Sequence, residues 1–311
     1  MNASDSSVSA RLWGRRQWCL GLSALALAGC QTPAPPLVVQ PPPSVIPPPP
    51  PKPPRIGLAL GGGAARGFAH IGVIQVLEEN GIKVDLVVGT SAGSLVAALY
   101  ASGRSGPELA KLADGMDESA LTDWAFPGRG LIKGEALAKY MRIQTGGVAI
   151  ERMKLPLGIV ATDLADGQPI LFQRGDVGTA VRASSAVPAV FQPVKIADRE
   201  YVDGGLVSPV PVRFARQMGA TMVIGVDISS PPEGKPPADP IDILMQTVAI
   251  MGRSINTWEL KDADVVIRPP LLGVSSADFT ARHKAIASGR EAALAALPAL
   301  PPTRGGTDRR L

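Results

Sequence analysis

GTSAG, residues 89–93, lies between the apolar run VDLVV at 84–88 and the stretch SLVAALYASG at 94–103. In the latter, Leu95, Val96 and Leu99 recur at helical spacing. A serine between Gly89 and Gly93 therefore falls where a buried strand hands over to a helix. Such a corner requires glycines because the turn is strained and neighbouring side chains would collide there. The Ser91 hydroxyl is expected to project above the sheet edge at the positive end of the following helix, the setting of a nucleophile.

Working outward, one strand–loop–helix unit precedes this corner. IGLAL at 56–60 reads as a buried strand, followed by Gly61, Gly62, Gly63, Ala64, Ala65, Arg66 and Gly67, then by HIGVIQVLEEN with Ile71, Ile74 and Leu77 on one helical face. Consecutive glycines let backbone N–H groups converge on one point, which suits either a phosphate or the oxyanion of a tetrahedral intermediate. A dinucleotide loop is the competing reading. Against it, Arg66 occupies the place of the third glycine of G-x-G-x-x-G, and no Walker Gly-Lys-Ser/Thr is present. Beyond the corner, LGIVAT (157–162), TMVIGVDI (221–228) and DVVIRP (264–269) read as further strands, with helical patterns near 241–260 and 277–297. Strands alternating with helices predict an α/β domain with a largely parallel central sheet. Residues 106–145 fit this alternation less well and read as a helical insertion, either scaffold or a cover over the site.

The base that would activate Ser91 has two candidates. Asp203, in REYVDGGLVSPVPV at 199–212, reads either as a plain Asp-Gly turn or as a carboxylate held on a flexible loop facing the serine. The second role requires burial to raise its pKa above the usual value of about 3.9. His283 is the rival, because the order Ser91, Asp203, His283 matches Ser…Asp…His of α/β-hydrolases. It lies in a helical pattern between Arg282 and Lys284, however, as a solvated residue would. His70, the only other histidine, belongs to the helix after the glycine loop, where a core or supporting role is expected.

The ends of the 311-residue chain have a different character. Arg11, Arg15 and Arg16 precede an apolar run at 18–28, the length of a signal-peptide core and too short to span a bilayer. It ends in LAGC at 27–30, which resembles the lipobox of bacterial lipoproteins. That resemblance implies a signal peptide over 1–29 and lipidation at Cys30. Gln31, not aspartate, follows it, so outer-membrane sorting on the periplasmic face is expected. A short core helix with a chance cysteine is the alternative. Residues 30–54 carry the lipidated cysteine and a proline-rich stretch, either a polyproline spacer of about 3.1 Å per residue or a tail without function. Residues 55–300 form the catalytic domain of this reading, and 301–311 read as a frayed terminus.

The other cysteine, Cys19, lies inside the signal, so no disulfide framework and no cysteine-based metal site are expected in the mature chain. Removing the signal takes three of the 31 basic and one of the 27 acidic residues, leaving 28 against 26. That balance is no nucleic-acid footprint.

Taken together, GLALGGGAARGFAHIGVI (57–74), VVGTSAGSL (87–95), IVATDLADG (159–167), VRASSAVPAVFQPV (181–194) and YVDGGLVSPVPV (201–212) resemble the patatin-like phospholipases, on the bacterial branch related to the catalytic domain of neuropathy target esterase. The resemblance covers residues 55 to about 270. It implies a three-layer α/β fold, a Ser91–Asp203 dyad that uses no histidine, an oxyanion hole at Gly61, Gly62 and Gly63 with Arg66 closing the loop, and no metal or other cofactor. It further implies a phospholipid or lysophospholipid substrate. A membrane-tethered binding protein without turnover is the reading from a different class, and intact Ser91 and Asp203 argue against it.

Overall fold

The computed structural model describes residues 53–117, 123, 129–229, 238–275 and 278–300. The expected signal, Cys30, nearly all of the proline-rich stretch and the tail 301–311 lie outside the described residues.

The chain runs β1 (Ile56–Leu60), α1 (Ala69–Glu79), β2 (Leu86–Thr90), α2 (Ala92–Ala101), α3 (Gly106–Asp114), β3 (Gly130–Ile132), α4 (Glu135–Gln144), β4 (Leu157–Asp163) and β5 (Pro169–Phe172). It continues through α5 (Val177–Ser184), β6 (Ala189–Phe191), β7 (Val194–Ile196), β8 (Arg199–Asp203), α6 (Val212–Gln217), β9 (Met222–Val226), α7 (Pro240–Glu259), β10 (Val265–Ile267) and α8 (Arg282–Ala296). The main sheet has the order β10-β9-β1-β2-β4-β8-β7, with β5 also paired to β4. β10, β9, β1, β2 and β4 are mutually parallel, as expected, whereas β5 and β8 run antiparallel to β4 and β7 antiparallel to β8.

The parallel strands are buried on both faces, which is what continuous apolar runs such as IGLAL require. Along β1, Ile56, Leu58 and Leu60 join one core while Ala59 joins the other; along β2, Val87 and the pair Leu86 and Val88 divide the same way. The first core is closed by α1, α2, α4 and α8 through residues such as Ile74, Leu99, Met141 and Ile286, and the second by α6 through Val212, Phe214 and Ala215. The result is a helix–sheet–helix sandwich. α1 and α8 approach through glycines: a Cβ on Gly72 would lie 2.0 Å from Ile286 O, and one on Gly289 2.0 Å from Ala69 O.

The stretch read as a helical insertion contains α3 and α4 together with β3, which pairs with β6 in a separate two-stranded sheet. α4 packs on α5 and sends Leu137 and Met141 into the main core, so it is scaffold.

One detail of the sheet positions the site. β5 occupies one edge of β4 along 159–162, so β2, paired to 157–160, and β8, paired to 161–163, share the opposite edge end to end. β2 ends at Thr90 opposite Val160 and β8 ends at Asp203 opposite Ala161, which brings the two strand ends together. Gly204 fits the junction because it has no side chain: a Cβ there would lie 2.2 Å from Val160 O and 3.1 Å from Thr90 Cγ2.

Candidate active site

Ser91 follows the last residue of β2 and caps the N-terminus of α2 with φ 53° and ψ −125°. A β-carbon residue held at positive φ is strained, and such strain concentrates where a side chain must be aimed. The two flanking glycines are required by close approach. A Cβ on Gly89 would meet Gly93 O at 2.3 Å, and one on Gly93 would meet Leu60 O at 2.1 Å.

The corner is tied down on every side. The Ser91 N–H donates to Ser184 Oγ at 2.9 Å, and Ser184 Oγ donates to Val160 O at 2.5 Å. Ser94 Oγ donates to Ser91 O at 2.6 Å. Thr90 Oγ1 donates to Ser208 O at 2.9 Å, and Ser208 Oγ donates at 2.5 Å to Glu259 Oε1, a buried carboxyl whose pKa burial pushes up. A polar rail thus runs from α7 through the loop after Asp203 to the residue before the serine.

Asp203 and Ser91 are both buried, and their side chains face each other. Asp203 is held by its backbone N–H, which donates to Ala186 O at 3.0 Å, and by its carbonyl, which accepts from Thr162 Oγ1 at 2.8 Å. Its Oδ1 accepts from the Gly205 N–H at 2.7 Å. Oδ2 is buried without a hydrogen bond of ordinary geometry, so the interaction with the Ser91 side chain is looser than a formed bond. Burial pushes the Asp203 pKa up to about 6, and the Ser91 side chain and the Gly205 N–H oppose that rise. A desolvated carboxylate with one unpartnered oxygen beside a hydroxyl is poised to accept a proton.

The glycine loop approaches the serine from β1. A Cβ on Gly62 would lie 3.1 Å from Ser91 Cβ and 3.8 Å from Ser91 Oγ. The structure narrows the expected oxyanion donors, because the Gly61 N–H donates to Val226 O at 3.1 Å and the Gly62 N–H to Pro209 O at 3.0 Å. Those two amides are spent on holding the loop. Of the three glycines, Gly63, which opens the 3-10 turn Ala64–Phe68, is the one whose N–H is not engaged in this way. Arg66 folds back on the loop, its Nε donating to Gly63 O at 3.4 Å. The Ala92 N–H, at the first position of α2, has no intrahelical acceptor and is a further donor beside the serine.

The histidines separate clearly. His283 lies at the start of α8 with its side chain 77% exposed and Nε2 3.5 Å from Asp114 Oδ1, on a solvated face as its neighbours predicted. His70 is fully buried, with Nε2 2.7 Å from Gly61 O. Because a carbonyl only accepts, Nε2 carries the proton, and Nδ1 is left buried and unpartnered. Burial lowers the His70 pKa to about 4, against the Gly61 carbonyl and the Asp227 charge, so His70 is a neutral pin on the glycine loop.

Residues that sequence reasoning left unassigned are Ser184, Ser208, Thr90 and Glu259. Ser184 and Ser208 lie inside stretches already quoted for the resemblance, but their partners are distant in sequence. Glu259 carries one signal, an acid at the far end of a mostly apolar helical pattern whose other acid, Asp242, lies in the first turn.

A glycine-flanked serine on a strained strand-to-helix corner, with a buried carboxyl and a glycine loop beside it, is the α/β arrangement of a nucleophile elbow. Residues 58–216 match the family model for patatin-like phospholipase. The chain belongs to the patatin-like phospholipase family. Among its relatives are an uncharacterized NTE family protein of Mycobacterium bovis, 38% identical over 58% of this chain and 51% of that protein, and one of Mycobacterium tuberculosis, 30% identical over 79% and 47%. The mouse patatin-like phospholipase domain-containing protein 6 is 36% identical over 57% of this chain and 14% of its own length. The chain thus spans about half the length of the bacterial relatives it matches. The fold is also that of VipD from Legionella pneumophila, with TM-score 0.58 and 15% identity over 79% of this chain and 67% of that one.

Proposed function

We propose that the chain is a serine acyl-ester hydrolase of phospholipids or lysophospholipids, working through a Ser91–Asp203 dyad. The observation that carries this reading is the buried Asp203 carboxyl, raised to about pKa 6, with Oδ2 unpartnered beside the Ser91 side chain. Family membership supports the lipid ester as substrate.

In the first half-reaction the Asp203 carboxylate takes the Ser91 hydroxyl proton as Oγ bonds to the ester carbonyl carbon. The carbonyl π pair moves onto oxygen, where Gly63, with the Ala92 N–H as second donor, meets the charge. Collapse breaks the ester C–O bond, and the proton on Asp203 passes to the departing alcohol oxygen. Water then attacks the acyl-serine, giving its proton to Asp203. The second collapse returns that proton to Ser91 and releases fatty acid. The net reaction is ester plus water to alcohol plus fatty acid, with Ser91 and Asp203 regenerated.

The test is fatty-acid release by purified full-length chain from vesicles of phosphatidylcholine, lysophosphatidylcholine or triacylglycerol. Release from the first two is expected. Release from none of the three would defeat the reading and favour a binding role.

We further propose that Cys30 is lipidated, tethering the domain to a membrane on the periplasmic face through the proline-rich spacer, in support of which stand the basic flank, apolar run and LAGC. Mass spectrometry of the mature protein is expected to find Cys30 as a lipid-bearing N-terminus; an unmodified Cys30 in a chain retaining residues 1–29 would remove the anchor.

A further inference from the structure

α7 is the longest helix described, at 20 residues, yet Asn256 and Glu259 are its only buried side chains. Its inward face is set by Leu244, Val248, Gly252 and Ile255, which are partly covered, while Ile243, Ile250, Met251 and Trp258 point outward. Ile250 is 53% exposed and Trp258 70% exposed. On a 3.6-residue period, Thr247 and Ser254 lie between these four, and no charged residue falls on that arc. The free face of a water-exposed helix ordinarily carries charge, so this one is built for another medium.

We propose that the outward face of α7 docks on a phospholipid surface. This rests on the lipid-hydrolase reading for its substrate but on separate residues for its evidence. First, the helix lies against the machinery: it packs on the Gly204–Leu206 turn directly after Asp203, and a Cβ on Gly252 would touch Pro209 Cγ at 3.4 Å. Second, two of its hydroxyls are already satisfied. Thr247 Oγ1 donates to Ile243 O at 2.8 Å and Thr257 Oγ1 to Arg253 O at 2.9 Å, so both can leave water without losing a partner.

Third, the flank is cationic, which favours a phosphate-bearing surface over an apolar protein partner. Lys261 Nζ lies 3.8 Å from the centroid of the Trp258 ring, an aromatic and a cation paired as at a bilayer boundary. Beside them a polar cavity of about 170 Å³ is lined by Arg253, Arg268, Asn256 and Asp227. Asp227 takes part of the Arg268 charge at 3.3 Å, while the buried Asn256 Oδ1 has no partner. Two guanidiniums at the edge of an uncharged face suit lipid phosphates. The acids of α7 stand away from that edge, Asp242 in the first turn and Glu259 buried against Ser208. Among the described residues no helix is long and apolar enough to cross a membrane, so α7 would lie in the interface.

Two measurements test this on the full-length chain. Tryptophan emission of the Ser91→Ala protein is read on vesicles of phosphatidylcholine and phosphatidylglycerol with brominated acyl chains, and compared with the same protein carrying Trp258→Phe. A quenched component that disappears with Trp258 is expected; identical quenching in both would overturn the proposal, whatever the N-terminal segment does. Next, Ile250→Glu with Trp258→Glu is expected to keep turnover of a soluble short-chain ester within about twofold and to lose about tenfold on vesicles. Equal losses on both substrates would overturn docking. If the parent protein hydrolyses neither substrate, the hydrolase reading fails and the quenching measurement alone decides docking. Self-association abolished by Ile250→Glu, with no lipid quenching at Trp258, would assign the face to a second copy of the chain instead.

Discussion

Ser91→Ala is expected to abolish labelling by a fluorophosphonate probe and to reduce ester turnover on the order of 10⁴-fold or more. The nucleophile forms the only covalent bond between protein and substrate in the cycle, and loss of such a group removes nearly all rate beyond what binding and the oxyanion donors supply. The fold should be untouched. The backbone tolerates an alanine at positive φ, as Ala64 already shows at φ 50°, and the restraints on the corner come from the Ser91 N–H and C=O. A melting temperature within a few degrees of the parent is therefore expected. The variant should also raise the Asp203 pKa, because the Ser91 side chain is one of the two groups that hold it down. Persistent labelling in the variant would place the nucleophile elsewhere.

Asp203→Asn separates activity from stability. Turnover is expected to fall on the order of 10³-fold or more, since the amide cannot take the hydroxyl proton. In the parent, turnover should fall as pH drops through about 6, where the carboxylate becomes protonated. Stability should move the opposite way. In the folded protein Asp203 binds its proton more tightly than in the unfolded chain, so between about pH 6 and pH 4 the native state holds the extra proton and parent stability declines as pH rises. Above that window the parent carries the full cost of a buried charge, and Asp203→Asn should be more stable by on the order of 2 kcal/mol. The difference should shrink to nothing near pH 4. His283→Ala, by contrast, should leave turnover unchanged, given its exposure and its place beside Asp114 at the start of α8. An inactive but folded His283→Ala would overturn the dyad, and an Asp203→Asn protein less stable at pH 8 would contradict the buried charge.

The parallel half of the sheet was legible because each strand is buried on both faces and reads as an apolar run next to a helix: β1, β2, β4, β9 and β10 all coincide with such runs. β3, β5, β6, β7 and β8 were not legible. They lie outside the strand–helix alternation, on the antiparallel side of the main sheet or in the small β3–β6 sheet, so a short apolar stretch such as PILF has no flanking helical pattern to mark it as a strand. Asp203 shows the consequence: its Asp-Gly reads as a turn, yet it terminates β8.

The Gly-rich loop was found and its chemistry only partly. Three glycines in a row announce close approach, but which amides are free depends on Val226 O and Pro209 O, well over a hundred residues away. Likewise the helical setting of His70 points to a core or supporting role, while its hold on Gly61 O depends on how the loop folds back over the helix.

What the sequence by itself determined is the local apparatus: a strained corner that only Gly89 and Gly93 permit, a glycine loop after a strand, and the alternation of buried strands with helices. Backbone sterics and hydrophobic period act over a few residues, so they are written into neighbouring letters. Tertiary structure decided the rest. It is the sharing of one β4 edge by β2 and β8 that sets Asp203 beside Ser91, and it is burial there that lifts the carboxyl into the range of a base, because desolvation belongs to the packed surroundings of a group and not to its sequence neighbours.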